Sequence, residues 1–258
     1  MVNPILRRNH MQQQSYKAVF FDLDGTLTPL DQDEFLRRYF VSLEAFAVRY
    51  SLDGSRFSTS LNKGVKAMIT GPTDVTNDKK FWDCFMQDYG DAEKSREEIE
   101  DLLQRFYEVD FGTLGRGVVP NPDAAYVVKT LHDKGYKLFL TTMPLFPLIA
   151  VEWRMKWGGI DPAFFSRITT YDNSYTAKPN LEYYRQNIEL AGCAPEEILM
   201  VGNNAREDMA ATQLGCDGYL VTDGLLNPEN VDINQFRNGT MAQFRVFVDS
   251  LPECEAWQ

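Results

Sequence analysis

Two aspartates that could carry chemistry, Asp22 and Asp24, directly follow the apolar run Ala18–Phe21. Residues two apart on a regular strand lie on the same face, so these two carboxyl groups would be neighbours. Two close carboxylates oppose each other's ionisation unless a nearby cation relieves the repulsion. Mg²⁺ is the obvious candidate, because it is divalent and prefers oxygen ligands. Asp-Gly-Thr is also ordinary turn chemistry. The apolar run favours a functional interpretation, because the end of a buried strand is a poor place for two idle acids.

Further polar groups follow other apolar runs or stand in loops before helices. They are Thr142, Lys178, the segment Gly202-Asn203-Asn204 and Asp208. Taken singly, each has an ordinary explanation: a structural threonine at a strand end, a surface lysine, or an acid on a helix surface. Ligands of parallel α/β sheets bind beyond the carboxyl ends of the strands. If the sheet is parallel, all these groups are expected to face one crevice.

The elements that would position these groups alternate between strand and helix. Strands are predicted at 18–21, 137–142, 166–170, 198–201 and 218–221. Helices are predicted at about 121–134, 147–157, 180–191 and 206–214, with one more in the tail at about 233–251. This alternation predicts an α/β fold with a doubly wound parallel sheet. Trp153 and Trp157 lie one helical turn apart and are expected to pack on the sheet.

The stretch between the first two strands has a different pattern. Apolar residues recur there every three or four positions, at Phe35, Tyr39, Leu43, Phe46 and Tyr50. This spacing predicts an amphipathic helix over 31–50, which Gly54 is expected to close. Further helical patterns cover 57–69, 78–89 and 91–107, and no strand signal interrupts them. Residues 30–112 are therefore predicted to form an inserted all-helical domain.

The length and charge of the chain limit the possible functions. Its 258 residues suffice for a core domain and a smaller second domain. A net charge of −11 disfavours nucleic-acid partners, because so acidic a chain repels phosphate polymers. No apolar run reaches the roughly 20 residues that a membrane helix needs. The segment 1–15 lacks the apolar part of a secretory signal and is expected to be a loose arm.

The four cysteines form no C-x-x-C pair. They are Cys84, Cys193, Cys216 and Cys254. With only two histidines in the chain, a zinc site is not predicted. Free thiols in a reducing compartment are the simpler interpretation, so a cytoplasmic location is expected.

The motifs taken together resemble those of the haloacid dehalogenase superfamily of hydrolases. The segment FFDLDGTLT at 20–28 is close to the first motif of that superfamily. Thr142 stands in the position of the second motif, Lys178 of AKPN in that of the third, and VGNNAREDM at 201–209 is similar to the fourth. The resemblance covers nearly the whole chain after Ser15.

The resemblance implies a division into domains. A hydrolase core would comprise residues 16–29 and 113–258, and the helical stretch 30–112 would be a cap that closes over the active site. Hinges would lie near 28–30 and 112–117.

The resemblance also implies a reaction, the Mg²⁺-dependent hydrolysis of a small phosphorylated metabolite. Asp22 would be the nucleophile that becomes an aspartyl-phosphate, and Asp24 the general acid and base. Thr142 would hold phosphoryl oxygens, and Lys178 would neutralise charge. Mg²⁺ would bind Asp22, the backbone carbonyl of Asp24 and the fourth motif, where Asn203 and Asp208 are the candidate ligands and Asn204 is the open alternative. An acid at position 24 argues against dehalogenation, which needs no proton on the leaving group.

The sequence departs from the superfamily pattern at two places. Met143 stands where Asn is frequent, and it cannot donate a side-chain hydrogen bond. Asn203 and Asn204 occupy the two positions where an acid is usual, so weaker Mg²⁺ binding is expected. Asp208 could bind the metal directly, bind it through water, or anchor Lys178.

Two other functions remain open from the sequence. The amides and Met143 motivate a binding or regulatory protein on a decayed hydrolase scaffold, although the retention of Asp22, Asp24, Thr142 and Lys178 speaks against it. A phosphomutase would transfer the phosphoryl group to a second hydroxyl, and release of inorganic phosphate distinguishes the two enzymes. A monomer is the default expectation, and the substrate is not named by the sequence.

Overall fold

The structure is a computed structural model that describes residues 15–89 and 94–257. The strands in these ranges are β1 (Ala18–Phe21), β2 (Lys137–Leu140), β3 (Arg167–Ile168), β4 (Ile198–Gly202), β5 (Asp217–Val221) and β6 (Arg237–Gly239). The α-helices are α1 (Gln32–Arg49), α2 (Gly54–Thr70), α3 (Asn77–Tyr89), α4 (Arg96–Arg105), α5 (Pro122–Asp133), α6 (Leu148–Gly158), α7 (Leu181–Ala191) and α8 (Met241–Ser250).

The six strands form one sheet in the order β3-β2-β1-β4-β5-β6. Every neighbouring pair is parallel. The strand order reverses between β1 and β4, which is the switch point where such sheets open a crevice at the carboxyl ends of their strands. The predicted doubly wound parallel sheet is confirmed.

Both faces of the sheet are covered by helices. Alternate residues of each strand point to opposite faces, so each half of β1 packs into a different cluster. Val19 and Phe21 pack into a cluster with residues of α5, α6 and α8. Ala18 and Phe20 pack on the other side, against α7 and the 3₁₀ segment Met209–Leu214. A strand buried on both faces explains why β1 reads as a continuous apolar run.

Helices alone occupy the described residues between β1 and α5. Helices α1 to α4, followed by the π segment Phe106–Asp110 and the 3₁₀ segment Phe111–Gly115, share a hydrophobic cluster that also includes Ala150 of α6. Its buried centre includes Leu43, Phe46 and Phe85. The predicted helical character of this stretch is confirmed. Its assignment as a cap with boundaries at 30 and 112 stays a prediction.

Gly54 does not close α1, contrary to the sequence expectation. That helix ends at Arg49, and Gly54 begins α2, with the Asp53 side chain accepting a hydrogen bond from the Arg56 amide at 3.0 Å. A Cβ on Gly54 would lie 3.0 Å from the side chain of Glu44 in α1. The glycine therefore serves the close approach of two helices.

The chain after β4 also differs from the prediction. Residues 206–214 do not form an α-helix; a 3₁₀ segment covers only Met209–Leu214 and ends at Gly215, where φ is +100°. The tail contains β6 in addition to α8. With the sequence Arg-Asn-Gly, β6 has no apolar run for a pattern to detect, and it is a strand because it pairs with β5.

Trp153 and Trp157 pack on the helical insert and not on the sheet. The Trp157 ring stacks on Phe111 with centroids 5.5 Å apart, and the Trp153 indole donates to the carbonyl of Tyr107 at 2.9 Å. The end of the insert lies directly against α6, since a Cβ on Gly115 would be 2.3 Å from the Trp157 ring.

Two predictions fall partly or wholly outside the described residues. These are the N-terminal arm, of which only Ser15 is described, and the start of the helix predicted at residue 91.

Within the described ranges, no helix combines the length and apolar character that a membrane crossing requires.

Candidate active site

The residues predicted to carry chemistry meet at the carboxyl edge of the sheet. Asp22 and Asp24 follow β1, Thr142 follows β2, and Asn203 follows β4. Because β1 lies between β2 and β4, these four residues follow three adjacent strands. Lys178 reaches the same point from the loop between β3 and α7.

Lys178 joins two carboxylates. Its ammonium group lies 2.7 Å from Oδ1 of Asp22 and 2.7 Å from Oδ1 of Asp208, and all three side chains are buried. Burial opposes the charge on Lys178, but the Asp208 and Asp22 carboxylates outweigh it and hold the pKa of Lys178 well above its ordinary value. The second oxygen of Asp208 accepts from the backbone N–H of Asn204 at 2.8 Å, so both oxygens of Asp208 are engaged.

The second carboxylate oxygen of Asp22, Oδ2, faces Thr26 and Asn203. The Thr26 hydroxyl lies 3.0 Å from Oδ2 of Asp22 and 3.1 Å from Oδ1 of Asn203, and with one proton it donates to one of them at a time. The Asn203 amide donates to the carbonyl of Gly224 at 2.6 Å, which orients its oxygen towards Thr26. Thr26 is a site residue that the sequence analysis did not single out, although it lies inside the first motif.

Gly25 allows Asn203 to approach the loop after β1. Its φ is +82°, a backbone region that favours glycine. A Cβ at this position would lie 2.3 Å from Nδ2 of Asn203. The first and fourth motifs therefore contact each other through a residue without a side chain.

Asp24 forms an ion pair with Arg154 of α6. Burial raises the pKa of Asp24, and the charge of Arg154 partly offsets this. The Arg154 guanidinium also lies over the Phe146 ring, with its carbon 4.8 Å from the ring centroid. Arg154 was not among the site residues predicted from the sequence. A charged residue one position from a tryptophan on a largely apolar helix was the available signal, but nothing local named its partner.

The Thr142 hydroxyl is buried and has no hydrogen-bond partner among the described residues. Its backbone carbonyl is held by the hydroxyls of Thr169 at 2.9 Å and Tyr183 at 2.8 Å. A fixed backbone with a buried unpaired hydroxyl is suited to a ligand oxygen, because an unmade buried hydrogen bond costs about 1–3 kcal/mol.

The donors in this site fit a hard cation better than a soft one. Asp22 Oδ2 and Asn203 Oδ1 both lie within hydrogen-bonding distance of the same Thr26 hydroxyl, so two side-chain oxygens converge at the carboxyl end of β1. Oxygen ligands suit Mg²⁺. No group of three or more His, Cys, Asp or Glu that could hold a metal occurs in the part of the chain described here. The candidate ligands are therefore carboxylate, amide and backbone oxygens.

The order of the motifs and the sheet topology agree with one family of hydrolases. Residues 16–215 match the family described as haloacid dehalogenase-like hydrolase. The chain belongs to this family. The matched range contains Asp22, Thr142, Lys178 and Asp208, so the Lys178 bridge lies within the part of the chain that matches a haloacid dehalogenase-like hydrolase.

Three relatives illustrate the similarity. The pyrophosphatase PpaX of Halalkalibacterium halodurans is 27% identical over 119 residues, which are 46% of this chain and 54% of the relative. The phosphoglycolate phosphatase of Salmonella typhimurium is 24% identical over 229 residues, 86% of this chain and 87% of the relative. The chain thus spans about half the length of the first relative and most of the second.

The third relative is a solved structure, the HAD phosphatase from Thermococcus onnurineus. It superposes with a TM-score of 0.55 at 19% identity, covering 92% of this chain and 99% of that one. At this identity the likeness concerns the fold alone, and it agrees with the six-stranded parallel sheet and flanking helices.

Proposed function

We propose that this hydrolase is a phosphatase that removes the phosphoryl group from a small phosphorylated substrate through an aspartyl-phosphate on Asp22. The observation that carries the proposal is the bridge of Lys178 between Asp22 and Asp208, at 2.7 Å to each. This bridge holds the positive charge of Lys178 beside Asp22, where a phosphoryl group would arrive. The phosphatase names of the relatives support the same reaction class.

In the first half of the reaction, a carboxylate oxygen of Asp22 forms a bond to phosphorus and the bond from phosphorus to the leaving oxygen breaks. Asp24, in its protonated form, donates its proton to that leaving oxygen. Burial raises the pKa of Asp24 and so favours this proton-loaded state. Positioned proton transfer of this kind contributes about 10²–10⁴-fold to the rate.

In the second half, a water molecule attacks the phosphorus of the aspartyl-phosphate. Asp24, now ionised, takes a proton from that water, and Asp22 leaves as a carboxylate together with inorganic phosphate. Arg154 holds Asp24 during both halves, since its guanidinium contacts the carboxylate directly. The unpaired hydroxyl of Thr142 binds a phosphoryl oxygen.

The same proposal includes Mg²⁺, held by Asp22, the backbone carbonyl of Asp24 and Asn203. When bound, the ion supplies positive charge that neutralises the phosphoryl oxygens. Asp208 is engaged by Lys178 and by the Asn204 amide, which favours an anchoring role for it over direct metal binding. An amide is a neutral ligand, so we expect weaker Mg²⁺ binding than in a site with a second free carboxylate.

Helices α1 to α4 would form the cap over this site. Asn77 of α3 donates from its amide to the carbonyls of Pro144 and Thr176, each at 3.1 Å. These two carbonyls lie two residues from Thr142 and from Lys178, respectively. The insert is therefore tied to the loops that carry two of the proposed catalytic groups.

The four free thiols are consistent with a reducing compartment such as the cytoplasm.

Release of inorganic phosphate from 4-nitrophenyl phosphate tests the proposal. The intact protein and Asp22→Asn are assayed with Mg²⁺ and with a chelator, and circular dichroism checks that both are folded. We expect release that requires Mg²⁺ and is lost in Asp22→Asn. A folded protein that releases no phosphate at any Mg²⁺ concentration would support a binding protein instead. Transfer to an added alcohol or sugar phosphate without release of inorganic phosphate would indicate a phosphomutase.

A further inference from the structure

A cavity of about 450 Å³ lies between the helical insert and the loop that follows Thr142. This volume is within the range of small-molecule binding sites. Its walls come from all four insert helices and from the loop, and they include Leu36, Phe40, Val65, Trp82, Leu145 and Phe146. We call this space the insert cavity.

The lining of the insert cavity selects for a neutral, apolar group. Most of the lining side chains are aliphatic or aromatic. The charged residues among them are Glu100 and Asp101 of α4, and no lysine or arginine of the described ranges lines the cavity. An anionic group would therefore meet two like charges and no opposite charge, which opposes its binding. An uncharged aromatic or aliphatic group would find complementary surface.

The insert cavity adjoins the loop that carries Thr142. Asp22, Asp24, Thr142 and Lys178 do not line it, but its wall begins at Leu145, three residues after Thr142. Three residues span at most about 11 Å even when fully extended.

Two successive contacts link the cavity to Asp24, the proposed acid. The Phe146 ring, which lines the cavity, lies 4.8 Å from the guanidinium carbon of Arg154, and Arg154 contacts Asp24. Asp24 is the residue that would protonate the leaving oxygen, so the cavity is on the leaving-group side of the site.

We infer that the insert cavity binds the leaving group of the substrate and that this group is neutral and apolar. The inference rests on the proposed function and narrows it to phosphate monoesters of aryl or other apolar alcohols. The named substrates of the relatives suit the cavity poorly: phosphoglycolate carries a carboxylate, and the leaving group of pyrophosphate is itself a phosphate. The acidic residues on α4 oppose both kinds of anion.

The test pairs a binding measurement with an activity measurement. Binding of 1-naphthol, the neutral product, is followed by its fluorescence, and hydrolysis is measured on 1-naphthyl phosphate and on phosphoglycolate. Val65→Trp fills the cavity from α2. Val41→Trp makes the same change at an exposed position of α1 and is the matched control. Leu36→Trp fills the cavity from α1 and provides a second variant in case the first does not fold.

We expect saturable binding of 1-naphthol, a preference for 1-naphthyl phosphate, and no change of either in Val41→Trp. In the filled variants, naphthol binding and the ratio of kcat/KM for the naphthyl ester over phosphoglycolate should each fall about tenfold or more. Absence of naphthol binding, equal binding in the filled variants, or a preference of the intact protein for phosphoglycolate overturns the inference alone. Intact naphthol binding without phosphate release from either ester overturns the phosphatase proposal, and with it the identity of the ligand as a leaving group.

Discussion

Arg154 and Asp24 form a partly buried ion pair although they lie 130 residues apart in the chain. The pair joins α6 to the loop after β1. The backbone carbonyl of Arg154 also accepts from the Thr28 hydroxyl at 3.0 Å, so one residue of α6 holds this loop at two points. A Cβ on Gly158, one turn further along α6, would lie 2.3 Å from the same hydroxyl. The loop that carries the proposed nucleophile is thus fixed by the helix that follows β2.

Removal of Arg154 should destabilise the protein because it leaves a largely buried carboxylate without a partner. For Arg154→Met we expect the free energy of unfolding to fall by about 3–5 kcal/mol, measured by urea denaturation. The double variant Arg154→Met with Asp24→Asn should recover part of that loss, since no charge is then left unpaired. Equal stabilities of the double variant and Arg154→Met would show that the pair itself is not responsible.

Loss of Lys178 should lower the free energy of unfolding more than loss of Asp208, because Lys178 compensates two buried carboxylates. Lys178→Met is expected to lower the free energy of unfolding by about 3–5 kcal/mol and kcat by about 10²–10³-fold. Asp208→Asn keeps the contact of Lys178 with Asp22 and should cost only about 2 kcal/mol. Urea denaturation and initial rates measure both effects. A larger loss for Asp208→Asn than for Lys178→Met would contradict the bridging role of the lysine.

Gly25 and Gly192 offer a matched comparison of two glycines with positive φ. Their φ angles are +82° and +73°, so an alanine at either position should cost about 1–2 kcal/mol from the backbone alone. A Cβ on Gly192 would have no heavy atom within 4 Å, whereas one on Gly25 would meet the Asn203 amide at 2.3 Å. We therefore expect Gly25→Ala to lose activity and further stability, and Gly192→Ala to keep its activity. Thermal melts and rates with a Mg²⁺ titration test this, and similar behaviour of the two variants would refute it.

Asn77 should stabilise the contact between the insert and the catalytic loops. Its buried amide donates to two backbone carbonyls, which Asn77→Ala would leave without that partner. The expected cost is about 2 kcal/mol in the free energy of unfolding, with a fall in kcat. Asn62→Ala removes an exposed hydrogen bond to the Ser58 carbonyl and is the control, with an expected effect below about 0.5 kcal/mol. Equal effects of the two substitutions would argue against the contact.

The four cysteines should differ in their reactivity. Burial raises the pKa of the Cys216 thiol to about 12, so almost no thiolate is present near pH 8. Cys254 is also buried, whereas Cys84 and Cys193 are half-buried. A thiol reagent at pH 8 should therefore label Cys84 and Cys193 first, and label Cys216 only after denaturant is added. Mass spectrometry identifies the labelled peptides, and early labelling of Cys216 would contradict its buried position.

Several features of this protein could be predicted from local sequence because their causes are local. The run Ala18–Phe21 is apolar throughout since both faces of β1 are covered, and that composition alone identifies a central strand. Parallel strands end at one edge of a sheet, so polar residues after β1, β2 and β4 had to lie near one another. The positions of Asp22, Thr142 and Asn203 followed from that rule.

Other features had no local signal. The strand β6 consists of Arg-Asn-Gly and exists only because β5 offers it a partner. Trp153 and Trp157 pack on the insert because residues 106–115 lie against α6, and the contacting residues are 46 positions apart in the chain. Gly54 has the usual signature of a helix end, but the approach of α1 and α2 decided its role.

By itself, the sequence determined the parallel α/β sheet, the helical insert and the set of polar residues at the sheet edge. Hydrophobic periodicity and strand-end chemistry are encoded within short segments, and the identity of each polar group can be read directly. Only the tertiary structure decided which groups touch: Lys178 with both Asp22 and Asp208, Asp24 with Arg154, and Asn203 with Gly25. These contacts join segments up to 178 residues apart, and their distances depend on how the sheet, helices and loops pack together.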